Sequence, residues 1–550
     1  MVSSDEIVQL LDFDDSDEEA LFEIDDEDEV VLAESVPDKE DEVRTVEIVD
    51  RQVPEEEPPA NTDSGTTVVT NFCWSRNFPP VIQPGDDPPD NNAIEWGKVM
   101  IPYESMPTPA AVFADVCKLD ELVNDILVPQ STLYMHQNGK AFEIENEEMK
   151  AFLGMNVMMS YHVLPEIHDY FSNEPDLRVQ PIAETMVRDR FYSIRRSLHF
   201  SNNDEAPDKK DPTHDRAWKL RPLIKHFNAA FQNAMSPTFE QAIDERMTKF
   251  KGHHIMKQYM KQKPIQRGFK HWCRNDSRTG YLYQFDIYAG KKTASPEFGL
   301  AENVVLELTD SLKDSSCRMF FDNFYTSPQL VYRLMTERKI YSCGTVREHR
   351  RGLPKDMKAT KDLKKGEMDS RYYHGMSVVK WIDTKPVTMI SSIDNGDPEN
   401  TVNVKRRKKG HDGKVDVKVP AMVQRYNKCM RGTDLLDQKT TVYAFDRKSP
   451  GKYYCRLFWD YIDMGLANSF IVYEQIAAKF SSGSRQNVAK TQKDFRRMVA
   501  IELIGDFSSR KKAPFDTKTY RSQPRHRIEY AERHGRCKRC YREERQKRLH

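Results

Sequence analysis

The chain has 550 residues, a formal net charge of −3 and nine cysteines scattered along its length, which leaves room for roughly two to four domains. Its start, Met1-Val2-Ser3-Ser4-Asp5-Glu6, lacks a basic n-region and an apolar core, and no run of about 18 apolar residues follows. These features argue against secretion, a disulfide framework and a membrane span, and for reduced thiols inside the cell.

The near-neutral total conceals a division. Residues 1–60 hold 24 Asp and Glu against 3 Lys and Arg, a net of −21, so residues 61–550 carry +18. A basic body behind an acidic arm is the charge footprint of a polyanion binder. Residues 1–95 read as a disordered arm, acidic at first and then rich in proline. Such a segment buries too little apolar surface to offset its ordering entropy. Within it, Ser16-Asp17-Glu18-Glu19 has the form of an acidophilic-kinase site, where a phosphate would add further negative charge.

Residues 96–237 read as a helical region. Apolar residues recur at three and four over 110–124 and 147–162. Over 186–200, Phe191, Ile194 and Leu198 share one face and Arg188, Arg190, Arg195 and Arg196 surround it. That pattern suits either a phosphate grip or a solvated face. Residues 238–348 change to strand texture. The spacing predicts strands over 239–247 and 280–288, then Met319-Phe320-Phe321 running into Asp322, a helix over 328–337 and a strand over 340–346. Strands followed by strand–helix–strand match the start of an RNase H-like sheet, although other mixed folds fit the coarse pattern equally well.

Residues 349–421 read as a β-rich insertion, basic at both ends, with alternating segments at 377–381 and 387–391 and a turn at Asn395-Gly396. Helices resume over 422–437 and 453–479, within a closing core and helical region at 422–500. The basic tail, 501–550, holds 15 Lys and Arg against 7 Asp and Glu. Lys405-Arg406-Arg407-Lys408-Lys409 and Arg510-Lys511-Lys512 have the form of nuclear-import signals. His253 and His254, after Gly252, are expected to face solvent, while Trp381 and Trp459 are expected in the core.

Three places supply acids where strands or helices would present them. Asp244 sits in the apolar alternation Ala242-Ile243-Asp244-Glu245-Arg246-Met247. Asp322 ends the second apolar run, at the point where α/β sheets open to ligand. A strand-end aspartate also has the plainer role of capping the next helix or starting a turn. Asp434 and Asp437, in Gly432-Thr433-Asp434-Leu435-Leu436-Asp437, stand three apart on one helical face. Clustered carboxylates repel one another and need cations to offset the repulsion. Hard oxygen ligands suit Mg²⁺, and two such ions about 4 Å apart serve phosphodiester chemistry. A basic body to hold a DNA backbone and a local acidic spot to recruit metal fit a nuclease or transposase.

The three acidic blocks, Ile243-Asp244-Glu245, Phe321-Asp322-Asn323-Phe324-Tyr325-Thr326-Ser327 and Tyr426-Asn427 followed by Gly432-Thr433-Asp434-Leu435-Leu436-Asp437-Gln438, resemble those of the piggyBac transposase family. So do Phe152-Leu153-Gly154, Arg188-Asp189-Arg190-Phe191, Leu198-His199-Phe200-Ser201, Lys219-Leu220-Arg221-Pro222-Leu223-Ile224, Lys263-Pro264-Ile265 and Gly344-Thr345-Val346-Arg347, in the same order over about residues 100–480. The resemblance implies an α/β fold class. It consists of an RNase H-like catalytic core with a β-rich insertion, flanked by helical dimerisation and DNA-binding regions. It implies a nuclear homodimer that cuts double-stranded DNA at transposon ends and joins it to TTAA targets, with two Mg²⁺ ions. Asp244, Asp322 and Asp434 correspond to the catalytic, metal-binding acids, and Asp437 to a fourth carboxylate. Neither a membrane nor a small-molecule substrate belongs to this picture. The alternative is a host-domesticated DNA-binding protein that no longer cuts. Members commonly end in a Cys-rich zinc module, whereas here only Cys537 and Cys540, with His534 and His550 nearby, are present. Tetrahedral zinc needs four ligands, so this tail reads as a truncated remnant with weak zinc candidates.

Overall fold

The computed structural model describes residues 72–78 and 95–509, apart from 209, 212–213, 262, 291–298, 408–413, 446–451, 481–488 and 490. Ser16, Lys408, Lys409, the cluster at 510–512, Cys537 and Cys540 lie outside the described residues.

Helices come first in the chain. Helices α1 (Pro109–Cys117), α2 (Val128–Gln137), α3 (Asn146–Tyr161), α4 (Gln180–Thr185), α5 (Arg188–Ser197) and α6 (Arg221–Ala234) bury their apolar stripes in one large core. Phe191, Ile194 and Leu198 are buried there, as their spacing predicts. Arg190 does not reach outward. It donates to Glu148 of α3 at 2.8 and 2.5 Å, so one arginine of that set is committed to packing α5 on α3.

The α/β body is a nine-stranded mixed sheet in the order β2 (Gln258–Tyr259), β3 (Arg267–Asp276), β1 (Glu240–Lys249), β5 (Arg318–Phe321), β6 (Tyr341–Thr345), β9 (Pro386–Ser391), β8 (Met376–Ile382) and β7 (Met368–Tyr373), with β4 (Leu282–Ile287) paired to β3. Its central strands are β1, β3, β5 and β6, with β2 and β4 on one flank. Arg318 to Phe321 is buried on both faces, as its run of apolar residues requires. Helices α7 (Leu300–Leu308) and α8 (Pro328–Arg338) cover one face. Ser327 caps α8, its hydroxyl accepting from Leu330 N at 3.1 Å.

The segment 349–421 is β-rich, yet most of it is not a sheet of its own. Strands β7, β8 and β9 join the core sheet through β9 and β6. Only β10 (Thr401–Arg407) and β11 (Lys414–Pro420) stand apart, as a two-stranded antiparallel ribbon. Val404 and Val417 turn inward, and Arg406 lies over the Trp381 ring and pairs with Asp383 at 2.9 Å. The outer face carries Asn403, Lys405, Arg407, Lys414, Asp416 and Lys418, all exposed.

Two expectations give way. The helix expected over 422–437 is two, α9 (Ala421–Cys429) and α10 (Gly432–Thr441). The break lets α10 turn against β3, so close that a Cβ on Gly432 would stand 2.9 Å from the Asp276 carbonyl oxygen. His254 is not solvent-facing. Its ring stacks 3.8 Å from Tyr453, and burial lowers its pKa to about 4. Helices α11 (Tyr453–Phe480), buried along most of its length, and α12 (Gln492–Ile504) close the fold. Trp381 and Trp459 are core residues.

Within the arm expected over 1–95, one described stretch departs from disorder. Residues 72–78 dock on the sheet edge, where Ser75 forms a bridge with Tyr372 of β7.

Candidate catalytic acid cluster

The site is built by register. Strands β1 and β5 run parallel with Ile243 opposite Phe321, so Asp244, next in β1, and Asp322, just past the end of β5, lie side by side. Neighbouring strands lie about 4.8 Å apart. Side chains alternate between faces, and Ile243 and Phe321 pack under α7 and α8. Asp244 and Asp322 therefore share the opposite face, the one where Ala242 and Phe320 meet α9. Helix α10 lies against β1 and β3 and brings Asp434, exposed, and Asp437 to this side. Thr433 at its start donates to Asn275 of β3 at 3.0 Å.

Asp322 also performs the structural task its position suggests. Its carboxylate accepts from Phe324 N at 2.9 Å and its carbonyl from Tyr325 N and Thr326 N at 3.2 Å. The resulting turn leaves Asp322 only partly covered. Burial, and then the field of Glu245, raise its pKa.

Asp244 is more deeply enclosed. Burial pushes its pKa up to about 7, against the pull of Lys263, whose ammonium lies 3.4 Å from Asp244 Oδ2 and 2.9 Å from the Glu245 carbonyl oxygen. Glu245 points to the other face and pairs with Lys270 at 3.0 Å. Burial works against its charged form, but Asp244 and Lys270 outweigh burial and lower its pKa. Asp437 sits 2.9 Å from Arg246 Nε. Burial raises the Asp437 pKa and Arg246 opposes the rise. Arg246 in turn makes a close double contact with Asp460 of α11 and donates to Thr440 at 3.0 Å.

The four aspartates singled out in the sequence thus converge on one face. What the spacing did not disclose is the cation set among them. Lys263 feels Asp244, Glu245 and Asp434 together, and Arg246 ties β1 to α10 and α11. One signal was present, since Arg246 is two residues after Asp244 and must share its strand face. Carboxylate oxygens from separate elements, those of Asp244, Asp322 and Asp437 partly buried and that of Asp434 exposed, are the kind of donor a hard divalent ion takes. A cavity of about 760 Å³, lined by Trp218, Arg221, Trp272 and Asp286 among others, includes Trp272, which pairs with Glu245 and so belongs to the face away from Asp244.

The sequence model of the family described as Transposase IS4 matches residues 116–470. Human PiggyBac transposable element-derived protein 2 is 26% identical over 436 residues, covering 77% of this chain and 71% of that relative. Human PiggyBac transposable element-derived protein 3 is 30% identical over 334 residues, covering 59% of this chain and 55% of that relative. The fold is similar to that in a cryo-EM structure of a piggyBac transposase synaptic complex with hairpin DNA. The TM-score is 0.62 at 23% identity, over 75% of this chain and 83% of the other.

Proposed function

The chain belongs to the Transposase IS4 family, as a piggyBac-type transposase or transposase-derived protein, and from that premise we propose that its acid cluster cuts DNA strands and joins them to new sites. The observation that carries this reading is the juxtaposition of Asp244 and Asp322 on adjacent parallel strands, with α10 bringing Asp434 and Asp437 to the same face.

Asp244, Asp322 and Asp434 would hold divalent metal, with Mg²⁺ favoured by the all-oxygen donor set. When bound, such ions polarise phosphodiester oxygens and lower the pKa of an attacking water. The chain's own residues do the rest. The parallel register fixes the spacing of Asp244 and Asp322 without any long side chain having to be ordered. The Asp322 turn aims its carboxylate through hydrogen bonds of its own backbone. Arg246 orients Asp437 and holds α10 in place. Lys263 keeps the cluster tolerable before metal arrives, by setting a positive charge beside Asp244.

The substrate is double-stranded DNA, which a body of net +18 attracts and the β10–β11 ribbon contacts through phosphates. TTAA target choice, action as a homodimer and nuclear residence follow from the resemblance and the basic clusters. A DNA-nicking assay with Mg²⁺ tests the reading, comparing the chain with Asp322→Asn. Metal-dependent nicking that the substitution abolishes is the expected result. Steep salt-dependent DNA binding without nicking in either protein would favour the second reading, a domesticated binder. That reading draws on Lys263 standing where a cation is needed and on the transposable element-derived human relatives.

A further inference from the structure

The short segment 72–78 has no place in the acid chemistry, yet its contacts lead to Asp322. Ser75 exchanges both backbone hydrogen bonds with Tyr372 of β7, at 2.9 and 2.8 Å. Strand β7 ends the sheet, so this bridge covers part of an otherwise open edge. Exposure alternates along the segment, with Phe72 and Trp74 turned inward and Cys73 and Ser75 outward. Phe72 meets Tyr373 edge-on at 5.2 Å, and Trp74 and Tyr332 of α8 each at 5.9 Å.

From there two steps reach the catalytic turn. Trp74 Nε1 donates to the Gly352 carbonyl at 2.8 Å. Gly352 has φ +88°, and a Cβ on it would stand 3.2 Å from the Phe72 ring, so this turn and the docked aromatics fit one another. Two residues earlier, Arg350 Nη2 donates to the carbonyls of Asn323 at 2.7 Å and Phe324 at 3.2 Å, the residues that follow Asp322. Within the turn, two backbone bonds run from Arg350 N to Arg347 O and from Leu353 N to Arg350 O.

We propose that residues 72–78 are an intramolecular docking strand and that Trp74 is a positioning residue. By pinning Gly352, Trp74 fixes the 347–353 turn, and through Arg350 it holds the Asn323–Phe324 backbone so that Asp322 faces the acid cluster. The docking itself stands on geometry alone, and only its effect on cutting rests on the function proposed above.

The test uses the full chain with Trp74→Ala, Trp74→Phe and Arg350→Ala. Amide hydrogen exchange is followed by mass spectrometry over 321–327 and 347–353, alongside Mg²⁺-dependent DNA nicking. Trp74→Ala should speed exchange in both segments by at least about fivefold, the factor for one lost hydrogen bond, with β1 and β3 unchanged. Arg350→Ala should loosen 321–327 to the same degree. Trp74→Phe, which keeps the ring but loses the donor, should fall between. Nicking kcat should drop in the same order while KM for DNA holds. Faster exchange at 347–353 with 321–327 unaltered would overturn the coupling, and so would loss of protection across the whole sheet. If the parent does not nick DNA, the function proposed above fails and the exchange pattern still decides this proposal.

Discussion

Arg246 Nε stands 2.9 Å from Asp437 Oδ1, so the fourth carboxylate of the cluster is already engaged by a buried guanidinium on the strand that carries Asp244. Asp437 is thereby a positioning group for α10 more than an open metal ligand. Arg246 is nearly inaccessible and answers two acids from two helices, with Asp460 held at about 2 chiefly by Arg246 and Arg456 overcoming its burial.

Removing that guanidinium leaves buried charge uncompensated. Arg246→Ala should cost about 3–5 kcal/mol of stability, read as a lower urea midpoint at constant slope. Asp437→Asn should cost far less, because that side chain is 40% exposed. Equal losses from the two substitutions would mean that Asp460 is not the main partner.

Asp244 and Asp322 should be separable from binding. Replacing either by Asn should lower strand cutting by more than about 100-fold, while affinity for duplex DNA measured by fluorescence anisotropy stays within about threefold. A matching collapse of affinity would assign both acids to the fold instead.

Metal uptake should release a proton below neutrality. Folded Asp244 keeps its proton up to about pH 7, against 3.8 for an ordinary aspartate. A raised carboxyl binds more protons folded than unfolded, so its share of stability is present at low pH and lost as pH rises from about 4 to 7. Mg²⁺ must displace the same proton, so affinity should rise about tenfold per unit up to pH 7 and then level off. Calorimetric titration in buffers of different ionisation enthalpy should show about one proton released at pH 5.5 and almost none at pH 8. No difference between the two would remove Asp244 from the ligand set.

The ribbon gives a salt-dependence prediction. Among the described residues, no ion pair engages Lys405, Arg407, Lys414 or Lys418 on its outer face. If each contacts one phosphate, neutralising all four to Gln should flatten the slope of log affinity against log salt by about 3.6. The inner residues Val404, Arg406 and Val417 are untouched, so the ribbon should stay folded by circular dichroism. An unchanged slope would put the DNA elsewhere.

Much of the site was legible because strand burial leaves a strong mark. Met319-Phe320-Phe321 before Asp322 reads as a strand buried on both faces, and it is one. The break between α9 and α10 was not legible, since 422–437 has helical spacing throughout and only the contact of Gly432 with β3 calls for a turn. Residues 72–78 were hidden for a related reason. Seven residues beside proline-rich chain have no periodicity to exploit, and their order comes from the edge of β7.

The sequence by itself determined the acids, their places at the ends of apolar runs and the charge division between arm and body, because composition and local periodicity carry these directly. Only the tertiary structure decided that the acids meet, that Lys263 and Arg246 stand among them, and that 372 pairs with 75. Those facts depend on the parallel register of β1 and β5 and on which edge stays open. Both are set by packing between segments far apart in the chain, which no local pattern encodes.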